Sequence, residues 1–234
     1  MNGTELCCRF SGITNSLNYC GPSDAHRTFA RFMQAGEGER EVQELLSRFE
    51  GLFPYLQLIA KKHNLQPFDY RVVEAYWLGN ELLDAFTVDD FRSFLPELGK
   101  RGLPIVRQLQ EKVPEGAIPH HTFNVLFVGV GQITGSVPTT LENMQNCMAS
   151  WGEVISPSAV KGSVLIKNNG YSLSEAERTV RFGLVHPKIG DKVAIHWGEC
   201  VHILNQQQYE NLQKYTEKVI RAVNLISLPQ RRTG

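Results

Sequence analysis

The sequence lacks most of the features from which a function is usually recognised. It has 24 Lys and Arg against 24 Asp and Glu, so its formal net charge is zero. A neutral chain offers no broad basic field for nucleic acid or for an anionic membrane. No apolar run is long enough to span a bilayer, and the first twenty residues lack the apolar segment of a secretory signal. We therefore expect a cytoplasmic protein that binds neither nucleic acid nor membrane.

Recognisable catalytic motifs are missing as well. The glycines of "GVGQITG" come without a P-loop lysine and without Rossmann spacing, and neither G-x-S-x-G nor H-E-x-x-H occurs. The five cysteines form no C-x-x-C pair, which excludes a four-cysteine zinc ribbon. These absences disfavour an enzyme, although a cysteine nucleophile assisted by a nearby histidine stays open as an alternative.

What is present divides the chain into a helical part and a strand-rich part. Apolar residues recur at helical spacing up to about residue 125, and Thr87 with Asp90 forms a variant of the capping box. Pro54 is expected to kink or split one helix, and Asn64 to end it. Phe123 to Val130 is interpreted as helix rather than strand, and "TTLENMQNC" as a short capped helix.

From Trp151 onward short β-branched segments alternate with turn residues. The five predicted strands are "WGEVIS", "SVLIKN", "RTVRFG", "DKVAIHW" and "ECVHILN", and a final helix begins after Asn205. The sequence predicts an α+β fold: an N-terminal all-α helical bundle, a small OB-like five-stranded β-barrel and a C-terminal helix. The predicted boundaries are 1–140 for the helical domain, 141–226 for the barrel with its helix, and 227–234 for a tail.

Two places in the helical part carry candidate functional residues. "NYCGPSDAH" sets Cys20 before a helix that Ser23 would cap, with His26 inside it, and a helix N-terminus lowers a thiol pKa. The alternative is a buried turn cysteine. His120 and His121 follow Pro119, and adjacent side chains point apart, so they do not share a metal. Either one of them lines a pocket near the domain junction, or they lie in a loop in which one imidazole bonds backbone.

The strand-rich part carries a more specific pattern. It begins with "NCMASWGEV", continues with "IGDKVAIHWGECVHIL" and closes with the polar-capped helix "NQQQYENLQKY". In order and spacing this segment, from Asn146 to about Tyr215, resembles the small hydrogenase-maturation chaperones of the HypC/HupF type. The resemblance implies that Cys147 and His196 hold a transient iron carrying carbonyl and cyanide ligands. A soft thiolate and a neutral imidazole are suitable ligands for such an iron.

A second resemblance covers nearly the whole chain. The motifs "YCGP", "VEAYWLGNELL", "PHHTFNV" and "TLENMQNC" are similar to those of DUF6390, a family of uncharacterised microbial proteins. These segments imply a shared surface between the helices and the barrel. The matched segments contribute Cys20, His120, His121, Asn143 and Cys147 to this surface. The candidate pocket or interface residues of the whole chain are Cys20, His26, His120, His121, Asn143 and Trp197.

The HypC/HupF resemblance implies an accessory or chaperone protein for [NiFe]-hydrogenase or related metallocentre maturation, whereas the DUF6390 resemblance implies kinship and no activity. The expected partners are a hydrogenase large subunit or maturation factors, and the expected cargo is iron. The alternatives are a metal-free protein-binding module and, less favoured, a cysteine-dependent enzyme.

Overall fold

A computed structural model describes residues 1–227, so the predicted tail lies outside the described residues apart from its first position. Short helices occupy the first two thirds of the chain, a five-stranded sheet follows, and one long helix ends it. The helices are α1 Gly3–Ser16, α2 Ala25–Ala35, α3 Glu39–Leu46, α4 Phe53–His63, α5 Tyr70–Trp77, a 3-10 helix Glu81–Ala85, α6 Val88–Gly99, α7 Val106–Gln110, α8 His121–Phe123 continuing as a π-helical turn Asn124–Gly129, α9 Leu141–Cys147 and α10 Gln206–Ser227. The strands are β1 Ser150–Ser156, β2 Ala159–Lys167, β3 Tyr171–Thr179, β4 Lys192–His196 and β5 Glu199–Ile203.

The helix boundaries follow local capping chemistry. Thr87 and Asp90 form the predicted capping box at the start of α6, each side chain bonded to the other's backbone. Asn64 adopts a left-handed conformation and ends α4 as predicted. Pro54 lies in the first turn of α4, where a missing N–H costs nothing, so the chain divides before the proline instead of kinking at it.

The predicted cap of α2 was wrong. Asp24, not Ser23, is the N-cap residue, and its left-handed backbone leaves its side chain without a capping hydrogen bond. The helical pattern of "DYRVVEAYWLGNELLDAF", residues 69 to 86, predicts one helix, and the structure divides it. Gly79, with φ of +82°, separates α5 from the 3-10 helix.

The sheet is antiparallel throughout, with strand order β3-β2-β1-β4-β5. Four of the predicted strands are confirmed, but "RTVRFG" was wrong as the third. The third strand is "YSLSEAERT", an edge strand whose mostly solvent-exposed faces carry few apolar residues. The apolar signal of the predicted segment has another cause, because Val180 and Phe182 lie in the following loop and pack on the sheet.

The sheet is open, so the prediction of a closed barrel is corrected. Closure would need continuous pairing between the two edge strands β3 and β5. Among the described residues the edges approach through one isolated parallel bridge, Arg181 to Glu199. The chain leaves the strand after Thr179 and covers one face of the sheet as a loop, which removes the backbone needed for closure. The α+β class and the C-terminal helix are confirmed, and the bundle arrangement of the helices stays a prediction.

The two faces of the sheet have different neighbours. Trp151, Ala194 and Trp197 face the helices and belong to the same hydrophobic core as α1, α4, α5 and α6. Val193 and Ile195 face the opposite side, in a small cluster closed by the 180–185 loop. Side chains alternate along a strand, so His196 at the end of β4 is directed toward the helices. The division at residue 140 stays a prediction, and the core is continuous across it.

Helix α10 contacts both the sheet and the N-terminal helical part. Its Tyr215 hydroxyl donates to the Asp84 carboxylate at 2.8 Å, and its Asn224 exchanges two hydrogen bonds with the backbone of Tyr171 on β3. None of the helices in the described part of the chain combines the length and the apolar character needed to cross a membrane.

Gly79→Ala tests the contact between α10 and the turn after α5. A Cβ at Gly79 would collide with the ring of Tyr215, and the residue has φ of +82°. We expect a loss of about 2–4 kcal/mol in the free energy of unfolding, measured by urea denaturation. Gly36→Ala is the matched control because Gly36 has φ of +74° and nothing within 4 Å. Equal losses in both variants would show that the Tyr215 contact contributes nothing.

Candidate metal centre

Three side chains from distant parts of the chain meet between the sheet and the helices. His121 begins α8, Cys147 ends α9, and His196 ends β4. The backbone N–H of Trp197 donates to the carbonyl of Asn146 at 2.7 Å and so joins the end of β4 to the end of α9. One possible ligand atom from each of the three residues lies within 4.8 Å of the other two.

The spacing of these atoms approaches that of metal ligands. Cys147 Sγ lies 3.8 Å from His121 Nε2. A tetrahedral site with ordinary metal–nitrogen and metal–sulfur bonds would place two such atoms about 3.6 Å apart. Only small side-chain movements are therefore needed for both atoms to bind one ion.

The hydrogen bonds of His196 prepare one of its ring nitrogens for a metal. Nδ1 lies 3.0 Å from the carbonyl oxygen of Phe10, so it carries the proton and donates. Nε2 then carries a lone pair, and it is buried without a hydrogen-bond partner. A metal-binding histidine almost always donates its other N–H to a carbonyl or carboxylate, and His196 already does so.

His121 is held in a similar way through Tyr76. The Tyr76 hydroxyl donates to the carbonyl of Gly51 at 2.7 Å and lies 2.9 Å from His121 Nδ1. When the Tyr76 hydroxyl donates to Gly51, the neutral His121 ring can donate either from Nδ1 to Tyr76 or from Nε2 to the carbonyl oxygen of Cys147, which lies 2.8 Å away. The tautomer that suits a metal carries its proton on Nδ1. In that tautomer the lone pairs of Nε2 and of the Cys147 carbonyl face each other unless a cation comes between them.

Burial keeps all three groups neutral in the absence of a metal. Burial lowers the pKa of His196 to about 4, although its backbone hydrogen bonds to Phe10 and to Cys147 act in the opposite sense. Burial, then the nearby His196, hold the pKa of His121 well below its usual value. Burial raises the pKa of Cys147, the charge of Cys20 raises it further, and the Trp197 indole lowers it. A second proton on His121 is thus disfavoured, so each neutral imidazole keeps one lone pair that a metal can use.

A small cavity adjoins the three side chains. Its volume is about 60 Å³, enough for a few water-sized groups. Tyr19, Cys20 and Trp197 line it together with the three candidate ligands. His196 is 1% exposed and His121 5%, whereas Cys147 is half-buried and marks the accessible side.

The turn after β4 directs Trp197 toward this cavity. Trp197 and Gly198 both have positive φ, +50° and +71°, as in a type I′ hairpin turn. A bulky residue in this conformation is strained, and such strain is found mostly at functional sites. The indole packs on Tyr19 with ring centroids 4.6 Å apart, and so connects the turn to the segment after α1.

Comparison with known families places the whole chain in one of them. The model of a family of unknown function, DUF6390, matches residues 1–230. The chain belongs to the DUF6390 family. No curated protein and no solved structure matches it.

The structure brings some of the candidate residues of this DUF6390 protein together and places the others elsewhere. Cys147 and His196 come together, and His121 joins them. Cys20 and Trp197 line the same cavity. The remaining three, His26, His120 and Asn143, make other contacts: with Asn15, with the backbone N–H of Thr122, and with the carbonyl of Pro138.

The structure bears on the expectations for the adjacent histidines and for Cys20. The adjacent histidines do not share a site, as expected, because His120 caps α8 while His121 is directed at Cys147. Of the two interpretations of Cys20, an activated thiol at a helix N-terminus and a buried turn cysteine, the pKa favours the second. Burial, together with the charge of Glu50, raises its pKa to about 12.

Sequence reasoning missed Tyr76 and the carbonyl of Phe10, which lie within hydrogen-bond distance of Nδ1 of the two histidines. Tyr76 stands at a core position of a helical pattern, and that pattern does not distinguish a hydroxyl used at a site from an aromatic ring in the core. A backbone carbonyl leaves no mark on side-chain sequence at all.

Tyr76→Phe tests the orienting role of the hydroxyl. We expect metal affinity to fall by about 10–100-fold, because His121 loses the partner that keeps its proton on Nδ1. Competition with a chromogenic chelator measures the affinity. Tyr55→Phe is the matched control, since its buried hydroxyl bonds Asn124 and not His121. An unchanged affinity in Tyr76→Phe would contradict the assigned tautomer.

Proposed function

We propose that this protein binds one transition-metal ion through His121, Cys147 and His196 and serves as an accessory protein in the maturation of a metalloenzyme. The proposed client is the large subunit of a [NiFe]-hydrogenase. The observation that carries the proposal is the buried, unpartnered Nε2 of His196, which lies beside a second imidazole and a thiol.

The donor atoms fit a late first-row metal and not a hard cation. Thiolate and imidazole suit iron, zinc, nickel and copper, whereas magnesium and calcium take oxygen ligands. Iron is the proposed cargo because the Asn146–Tyr215 segment resembles the HypC/HupF chaperones in its cysteine and histidine. Metal binding would release the thiol proton of Cys147, so affinity should rise with pH.

The position of the three ligands supports a protected cargo. Three protein ligands leave a coordination position open, as in sites that exchange or activate a group. Both histidines are covered by helices, so cargo would pass Cys147, the half-buried ligand. Release to a client then requires the contact between the Trp197 turn and the end of α9 to open.

Co-expression with hydrogenase maturation proteins tests the proposal. We expect the purified protein to contain iron, to show carbonyl and cyanide infrared bands, and to form a complex with the hydrogenase large subunit. Cys147→Ala should lose the iron and the bands, whereas Cys200→Ala should retain both because Cys200 is buried on the opposite face of the sheet. Retention of the bands by Cys147→Ala would remove this cysteine from the function.

A metal-free alternative is a protein-binding module. It predicts normal complex formation when Cys147 and His196 are both replaced. The metal-carrying proposal predicts that such a double variant loses the cargo and weakens the complex.

The distance of 3.8 Å between Cys147 Sγ and His121 Nε2 also favours a second candidate, a cysteine-dependent enzyme. The electrostatics oppose it, because burial raises the thiol pKa and lowers the imidazole pKa. An activated pair needs shifts of the opposite sign. The alkylation rate of Cys147 against pH decides: half-maximal reactivity near neutral pH would favour the enzyme, and a rate still rising above pH 9 would favour the metal site.

A further inference from the structure

The three proposed ligands would not neutralise the metal ion that they bind. A divalent ion bound by two neutral imidazoles and one thiolate keeps one positive charge. None of the described residues that line the cavity is Asp, Glu, Lys or Arg. Burying an uncompensated charge in such surroundings is costly, so a further anion is expected close to the metal.

Cys20 can supply that anion. It lines the same cavity as the three ligands, and it is near enough to Cys147 for its charge to act on that thiol. The charges of Cys20 and Cys147 both act on the Tyr76 hydroxyl, which bonds His121. The thiol of Cys20 thus shares its surroundings with two of the three proposed ligands.

Hydrogen bonds hold the backbone around Cys20. Asn15 donates to the Cys20 carbonyl at 2.9 Å, Gly21 donates to the Glu50 carboxylate at 3.3 Å, and the Tyr19 carbonyl accepts from Ser136 at 2.7 Å. Cys20 lies outside the group whose ligand atoms are within 4.8 Å of one another. Its sulfur would therefore have to move closer to the three ligands to bind the same metal.

We propose that Cys20 is the fourth ligand and that it converts the open three-ligand site into a closed site with two histidines and two cysteines. Two thiolates neutralise a divalent ion, and four ligands complete the tetrahedron that zinc and ferrous iron accept with such donors. This inference rests on the proposed metal-binding function and adds a means of release. Departure of Cys20 alone would return the site to three ligands and a positive charge, which favours transfer to a client.

Cobalt substitution tests the proposal on the full chain. Reduced, metal-free protein is titrated with Co²⁺ alone under anaerobic conditions, and the sulfur-to-cobalt charge-transfer band is recorded per bound cobalt. We expect Cys20→Ser to halve this band and to weaken Co²⁺ binding by more than about tenfold. Cys147→Ser should have an equal or larger effect, and Cys200→Ser should have none.

The outcomes separate the two proposals. A full band and unchanged affinity in Cys20→Ser would overturn the fourth ligand and leave the three-ligand site standing. Failure of the wild-type protein to bind Co²⁺ would overturn both. If Cys20→Ser does not fold, iodoacetamide labelling of the wild-type protein decides, read by mass spectrometry at each cysteine. Protection of Cys20 and Cys147 by Co²⁺ supports the proposal, and protection of Cys147 alone contradicts it.

Discussion

His196→Gln is expected to lower metal affinity by more than about 100-fold, because loss of a direct ligand costs more than loss of the groups that orient it. The side chain is buried and its Nδ1 already donates to the Phe10 carbonyl. Its Nε2 lies near the Cys147 backbone without forming a hydrogen bond of acceptable geometry. Glutamine retains a hydrogen-bonding group of similar reach but has no lone pair suited to a soft metal.

His202→Gln is the matched control for this variant. His202 lies on the neighbouring strand, is also buried, and has a pKa that burial lowers to about 4 as well. Its Nε2 lies 3.3 Å from the amide oxygen of Gln208, and His202 is not part of the group of three possible ligands. Competition titrations with Zn²⁺ should show near-normal binding in His202→Gln. Equal affinity in the two variants would mean that His196 is not a ligand.

The second large effect is a loss of stability in mild acid. Burial lowers the pKa of four histidines: to about 3 for His120, to about 4 for His196 and for His202, and well below the usual value for His121. The unfolded chain binds protons on these rings below its own pKa of about 6.5, whereas the folded chain stays neutral until much lower pH. Since the unfolded state binds more protons in this window, stability falls as pH falls from about 6.5 toward 4.

The magnitude follows from the same linkage. Each histidine should remove about 1.5–2 kcal/mol between pH 7 and pH 5, and four together up to about 7 kcal/mol. That is comparable with the entire stability of an ordinary domain. Asp90 also loses stabilisation in acid, because its hydrogen bond to Lys62 holds its pKa below the ordinary value of 3.8. That loss begins below pH 3.8, outside this window.

Urea unfolding of metal-free protein at pH 7, 6 and 5 measures this effect. His202→Gln should reduce the pH dependence by about one quarter, since it removes one of the four rings. A free energy of unfolding that is constant from pH 7 to 5 would show that these histidines do not stay neutral in the folded state.

Much of the fold was predictable because its signals are local. The capping box at Thr87, the helix end at Asn64 and four of the five strands depend on residues close together in sequence. The third strand was not predictable in this way, because β3 is a polar edge strand and the loop after it carries the apolar residues. Whether the sheet closes depends on the path of that same loop, which local patterns do not reveal.

The candidate site likewise contains residues that the sequence identified and residues that only the structure reveals. Cys147 and His196 were identifiable from the resemblance of the Asn146–Tyr215 segment to the HypC/HupF chaperones, and the structure brings them together. A pocket role for His120 or His121 was one of two alternatives. That His121 is the one facing Cys147 depends on how α8 packs against the sheet. Tyr76 and the Phe10 carbonyl lie on separate helices, so their roles follow only from tertiary structure.

X-ray absorption at the metal edge of stoichiometrically loaded protein tests the central claim most directly. We predict one metal per chain with two imidazole nitrogens at about 2.0–2.1 Å and sulfur at about 2.3 Å. The sulfur signal should disappear when both Cys20 and Cys147 are replaced by serine. A spectrum with oxygen and nitrogen ligands only, in the wild-type protein, would contradict the account.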